Sequence, residues 1–332
     1  MNKPDTMCMA PWVHTYLSPQ TERRMCCASR EPAQNFEQYI DTSAGTGKYI
    51  PVTLEQHWNG EHMRSVRRRM MAGETLAESH FQESQVEAEF AAAVEQHRVE
   101  EIYWVGGEPL MYEQHWRYMK RIVELGDGPR LYARYNTNLS RINYRSTDLF
   151  RDILSNIRDW QICASLDGTD HIGEYIRTGL DYEQFKRNFE HGLQYATNPR
   201  QMRIDFTLTL PGMFEVDAIQ QLAKQFGVEL LAKVIFSFSP DIIMSPLALP
   251  RELLDPWVDE LAGRSAGAMR DVLLQLKNRP TFKEQWPDQY AAGLSKGKAR
   301  VLQLEQIRTQ SVTMTDILGT RPDVLEWWMK IA

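Results

Sequence analysis

The stretch YWVGGEPLMY, residues 103–112, decides the reading of this chain. Two aromatic residues and a valine run into Gly106-Gly107-Glu108-Pro109. An apolar run stopped by two glycines, an acid and a proline reads as a buried strand with a loop at its carboxyl end. Bare backbone and one carboxylate at such a place suit a small ligand that carries an amine. Gly106 and Gly107 let that amine reach backbone carbonyls, and Glu108 supplies the anion.

The rhythm continues in both directions. Helical patterning over 84–98 precedes this strand, and helical patterning over 112–126 follows it. Further strands are expected near 131–136, 160–166, 202–210 and 231–238. Helices are expected at 145–157, 182–196 and 215–227 between them. Alternating strands and helices with short connections predict an α/β fold built on a parallel sheet. Residues 250–332 read as several helices, in which Trp257, Trp327 and Trp328 are packing residues. Residues 12–19 read as a short strand with a hairpin partner at 22–29, 31–52 as loop, and 53–74 as helix.

In parallel sheets, ligands gather at the carboxyl ends of the strands. Those ends carry Gly106-Gly107-Glu108, then Asn136-Thr137-Asn138, then Ser165-Leu166-Asp167-Gly168 and Arg177 soon after, then Thr207 to Thr209. The strand interiors read as apolar. Arg177 offers a forked donor for a carboxylate, while Ser165 and Asp167 suit ribose hydroxyls. Amine, carboxylate and ribose together describe S-adenosylmethionine (SAM) better than NAD or ATP. The chain contains neither a GxxxxGK[ST] loop nor a GxGxxG after its first strand.

On these motifs the chain resembles the radical SAM superfamily. GGEPL is similar to the family's motif for the methionine amine, and NTN and SLDG to its later strand-end motifs. Arg177 in YIRTG matches an arginine that the family places near the methionine carboxylate. CMAPWVHTYLSP…MCC with LEQHWNGEHMRSVRRRMMAGE resembles a twitch domain, a shortened relative of the SPASM module. The resemblance implies a partial (β/α)6 TIM-like barrel over 83–245 that lacks its first strand. A twitch-like unit over 1–82 precedes it, and a helical extension over 246–332 follows. It implies a cofactor site of Gly106, Gly107, Glu108, Asn138, Ser165, Asp167 and Arg177, and a [4Fe–4S] cluster.

The cluster motif is where the chain departs from the family. The family holds its catalytic cluster on CxxxCxxC, and this chain has only Cys8, Cys26, Cys27 and Cys163, without that spacing. Residues 78–85 run directly into the helix before YWVGGEP, with Ser79 where a cysteine is expected, so an internal deletion is inferred there. Cys8, Cys26 and Cys27, with His14 nearby, are the candidate ligands of an auxiliary cluster or metal; the other reading is leftover thiols. Cys163 is read as a small buried apolar residue. His97, His115 and His191 are read as helix-surface residues, and Glu113 and Asp148 as ordinary helix charges.

Two readings remain open for function. One is a radical SAM enzyme acting on a peptide or small molecule, impaired by the missing cluster loop. The other is a non-catalytic SAM- or peptide-binding protein that retains the barrel. A weaker third is a zinc- or iron-binding interaction module at the N-terminus. The net charge of -6 argues against nucleic acid, and the run Arg64, Arg67, Arg68, Arg69 reads as a solvated helix face. With 42% hydrophobic residues and 25% charged, the composition suits a folded domain. No apolar run reaches the roughly 18 residues of a membrane span. The few cysteines and the lack of a leader point to the cytoplasm.

Overall fold

The computed structural model describes residues 59–71, 88, 90–105, 107–235, 237–308 and 312–332, with the residue pairs 16–17, 23–24, 40–41 and 48–49. Gly106, Cys8, Cys26, Cys27 and the inferred deletion at 78–85 lie outside the described residues. The chain forms two compact units, residues 1–98 and 99–332.

In the first unit, β1 (Tyr16–Leu17) pairs antiparallel with β2 (Arg23–Arg24), the hairpin read from the sequence. A second short pair, β3 (Ile40–Asp41) with β4 (Lys48–Tyr49), lies in the segment read as loop. Helix α1 (Glu61–Met71) carries the arginine run. Glu61 pairs with Arg64 at 3.5 Å and with Arg68, all exposed, whereas Arg67 of the same run is half-buried, so the solvated face expected there holds only in part.

The second unit is built on five parallel strands: β5 (Glu101–Trp104), β6 (Tyr132–Thr137), β9 (Asp159–Ser165), β10 (Met202–Leu208) and β11 (Glu229–Val234). Between β6 and β9 stands a small hairpin, β7 (Asn143–Tyr144) with β8 (Thr147–Asp148). The spatial order β11-β10-β9-β6-β5 follows the chain without reversal. Parallel crossovers are right-handed, so an order that never reverses puts every connecting helix on one face. Those helices are α2 (Glu113–Glu124), α3 (Asp170–Ile176), α4 (Tyr182–Leu193) and α5 (Val216–Phe226).

The burial pattern follows from that one-sided cover. Ala133, Tyr135, Trp160, Ile162, Met202, Ile204 and Phe206 alternate onto the covered face and are buried. Trp116, Met119 and Ile122 of α2 and Phe185 and Phe189 of α4 are buried as well, with Phe189 stacked on Phe185 and on Phe226. The intervening positions point to the other face. There Arg134, Gln161, Cys163, Arg203, Asp205 and Lys233 occupy strand interiors. The expectation of apolar strand interiors therefore holds for one face only.

The helix expected at 145–157 does not form. Arg145 takes a left-handed φ of 52° in the turn between β7 and β8. Asp148 then accepts the amides of Phe150 and Arg151, at 2.9 and 2.8 Å. It caps a π-helical turn over Leu149–Ile153 and is itself buried, not an ordinary helix charge. The β7–β8 hairpin occupies residues 143–148, so helical structure starts only after Asp148 and continues as a π turn and a 3-10 turn.

The C-terminal helices belong to the same compact unit as the sheet. They are α6 (Arg251–Gly263), α7 (Gly267–Lys277), α8 (Phe282–Gln285), α9 (Tyr290–Ile307), α10 (Met314–Leu318) and α11 (Pro322–Lys330). Trp257 meets Phe214, in the turn after β10, edge to face at 4.8 Å. Tyr175 of α3 donates to Glu305 at 2.7 Å, and Arg308 donates to the Tyr175 carbonyl at 2.8 Å. These bonds anchor α9 on the helix that follows the SLDG loop.

Candidate functional site

The site is assembled at the carboxyl edge of the sheet. After β5 the chain reverses at Gly107, whose φ is +56°, a conformation that favours glycine. A Cβ there would also stand 2.7 Å from the Tyr112 hydroxyl. The turn delivers Glu108 to the end of β6. Its Oε1 accepts from the Leu110 amide at 3.2 Å and the Thr137 hydroxyl at 2.5 Å, and its Oε2 accepts from the Asn138 amide at 2.7 Å. Burial pushes the Glu108 carboxyl above the usual glutamate range, opposed by those three donors and by the positive charge of Arg177.

A carboxylate has about four lone-pair sites. Three protein donors thus leave one acceptor position on Oε2. Asn138 reaches the site through its backbone, because its side-chain oxygen accepts the Ser140 amide at 2.9 Å. Thr137 is the residue that the sequence reading left out. Its hydroxyl donates to Glu108 and accepts the Leu139 amide at 3.0 Å. Only the parallel register of β5 beside β6 brings it there.

The third strand end meets the same network. Asp167 is buried; one oxygen accepts the Thr207 amide at 2.8 Å and the other the Arg177 Nε at 2.7 Å. Both oxygens that the sequence assigned to a ribose are therefore engaged within the protein. Arg177 is anchored through Nε, and its terminal Nη groups have no partner among the described residues. Glu108 meets the end of β6 and Asp167 with Arg177 follows the end of the neighbouring β9, and the Arg177 charge is the smallest of the influences on the Glu108 carboxyl. Ser165 is half-buried on the uncovered face, across from Asp205 in register.

The SLDG loop is rigid for steric reasons. A Cβ on Gly173 would stand 2.2 Å from the Gly168 carbonyl oxygen. Buried Glu215 accepts both the amide and the hydroxyl of Thr169, each at 2.6 Å. No local pattern marked Glu215, which reaches across 46 residues. Asp205 and Lys233 were also missed; Lys233 Nζ donates to both Asp205 oxygens, at 2.7 and 2.6 Å. A charge inside each of two neighbouring strands was the available signal.

Cys163 is half-buried on this polar face, not sealed in an apolar core. Burial pushes its thiol up, as does Asp205, while Arg203, Arg134 and Lys233 oppose the rise. Among the described residues no group of three or more His, Cys, Asp or Glu side chains has the arrangement to hold a metal ion.

Two histidines differ from expectation. His115 is completely buried between Trp104, Trp116 and Tyr135, all meeting it edge to face. Its Nε2 lies 3.1 Å from the Tyr135 hydroxyl, and its Nδ1 has no partner. Burial takes its pKa down to about 3. His191 is half-buried and pairs with Asp148 at 3.0 Å. His97, as expected, is exposed. No family model, curated protein or solved structure matches this chain.

Proposed function

We propose that the carboxyl edge of the sheet binds the amino-acid end of S-adenosylmethionine, and that the chain is a radical SAM relative in a partial (β/α)6 barrel. One observation carries this reading. An acceptor position on Glu108 and the forked Nη groups of Arg177 stand beyond the ends of neighbouring parallel strands, β6 and β9. A zwitterion needs that pair: an anion for its ammonium and a planar donor for its carboxylate. The unreversed strand order supports the barrel, with the polar face as its interior. Ser165, whose hydroxyl has no hydrogen-bond partner among the described residues, is the remaining candidate for the ribose.

The catalytic cluster does not fit this chain. Its four cysteines contain no CxxxCxxC, so no electron-transfer step is assigned to it. What the residues themselves do is bind and orient. Glu108 holds the ammonium, Arg177 holds the carboxylate, and Asp167 fixes Arg177 in place.

Calorimetric titration with S-adenosylmethionine tests the proposal. Glu108→Gln removes the anion and Arg177→Lys removes the fork, and each is expected to weaken binding about tenfold or more. Wild-type affinity also falls in acid, starting at a higher pH than for an ordinary glutamate, because neutral Glu108 cannot pair with the ammonium. A wild-type protein that does not bind, or variants that bind equally well, would overturn the proposal.

A further inference from the structure

The amino-terminal ends of the same strands carry a separate cleft of about 500 Å3. It is lined by Tyr132, Asp159, Gln161, Asn198, Arg200 and Arg203, on the loop before β10 and on the lower part of the uncovered face. The size is in the range of small-ligand sites, and the lining is polar. Its charged lining is Arg200, Arg203 and Asp159; Arg203 is paired with Glu229 and Asp159 accepts from Gln201, so Arg200 is the charge left for an anion.

The loop that presents Arg200 is held at every turn. Gln201 is buried, and its Oε1 accepts the Thr197 amide and hydroxyl at 2.6 and 3.1 Å. Its Nε2 donates to Asp159 Oδ1 at 2.9 Å, so the acid of the cleft is already engaged. Asn198 accepts the Arg200 amide at 2.9 Å. The Arg200 carbonyl accepts from Gln161 Nε2 at 3.3 Å and from Arg203 Nε at 3.2 Å. Arg203 is further tied to Glu229 at 3.1 Å.

Against that framework, the Arg200 guanidinium is exposed and has no ion pair among the described residues. Its backbone position is fixed by three neighbours, Asn198, Gln161 and Arg203, while its charged group is left open to the cleft. The loop backbone needs no rearrangement to bind, and a guanidinium matches the geometry of phosphate and carboxylate oxygens.

We propose that this cleft binds the phosphate or carboxylate group of a small polar molecule, with Arg200 as its principal contact. The cleft lies at the opposite end of the strands from Glu108 and Arg177, so the inference does not rest on the S-adenosylmethionine reading.

Pyrophosphate and citrate are the probes, titrated calorimetrically at matched ionic strength against a chloride control. Saturable binding of either anion is expected, and the stronger one identifies phosphate or carboxylate as the preferred group. Arg200→Gln keeps the backbone bonds of the loop and removes only an unpaired side chain. Its melting temperature without anion should equal that of the wild type, and its affinity should be weaker by about tenfold or more. No binding of either anion above the chloride control, or equal binding by Arg200→Gln, overturns the proposal.

Discussion

His115 makes the protein sensitive to acid in a way that can be worked out from its surroundings. It is fully buried with one ring nitrogen unpartnered, and its pKa falls from 6.5 to about 3. Above pH 6.5 the ring is neutral in both the folded and the unfolded chain, so pH has no effect through it. Below that value the unfolded chain takes up a proton that the folded chain refuses. Stability then falls by about 1.4 kcal/mol per pH unit until the folded value is reached. Between pH 7 and pH 5 the loss through this one residue is about 2 kcal/mol.

The assay is urea unfolding at both pH values, followed by tryptophan fluorescence, since Trp104 and Trp116 touch the ring. Tyr135→Phe is compared with the double variant His115→Phe/Tyr135→Phe. Removing both partners avoids leaving the Tyr135 hydroxyl orphaned, and phenylalanine retains the aromatic packing. The double variant should lose about 2 kcal/mol less than Tyr135→Phe between pH 7 and pH 5. Equal losses in the two proteins would refute the reasoning, because His115 would then be protonated equally in the folded and unfolded chains.

Two further predictions concern the strand-end loops. Gly173→Ala drives a methyl group against the Gly168 carbonyl, 2.2 Å from the built Cβ position, and should destabilise by about 1–3 kcal/mol; an unchanged melting temperature would show that the loop yields freely. The Asp167–Arg177 pair should respond asymmetrically, since Asp167 is 9% exposed and Arg177 30%. Arg177→Gln strands a buried carboxylate and should cost about 3 kcal/mol or more, whereas Asp167→Asn leaves a half-solvated guanidinium and should cost less. Denaturant titration of both variants checks the order.

Much of the sheet was legible because its signals are local. The alternating burial of β6 and β9, and the glycines that end α2 and α5, lie within single elements. The strand-end motifs were legible for the same reason, and the structure gathers Glu108, Asn138, Asp167 and Arg177 at one edge. Even the burial of His115 left a trace, since it stands four residues before Met119 and seven before Ile122 on the buried face of α2. It was read as a surface residue because histidine is polar. The helix misread at 145–157 had the right apolar spacing, but the β7–β8 hairpin takes up its first turn and the remainder closes as π and 3-10 turns.

By itself the sequence determined the order of the five parallel strands, their ends and the kinds of groups placed there, because backbone propensity and side-chain alternation act over a few residues. Tertiary structure alone decided who pairs with whom. Thr137 meets Glu108 only through strand register, and Asp167 engages Arg177 and Thr207 only once β9 and β10 lie side by side. Those pairings turn a row of expected ligand contacts into a network that is largely satisfied within the protein. What remains for a ligand includes one acceptor position on Glu108, the outer face of Arg177 and the Ser165 hydroxyl, a distinction that depends on distances between residues far apart in the chain.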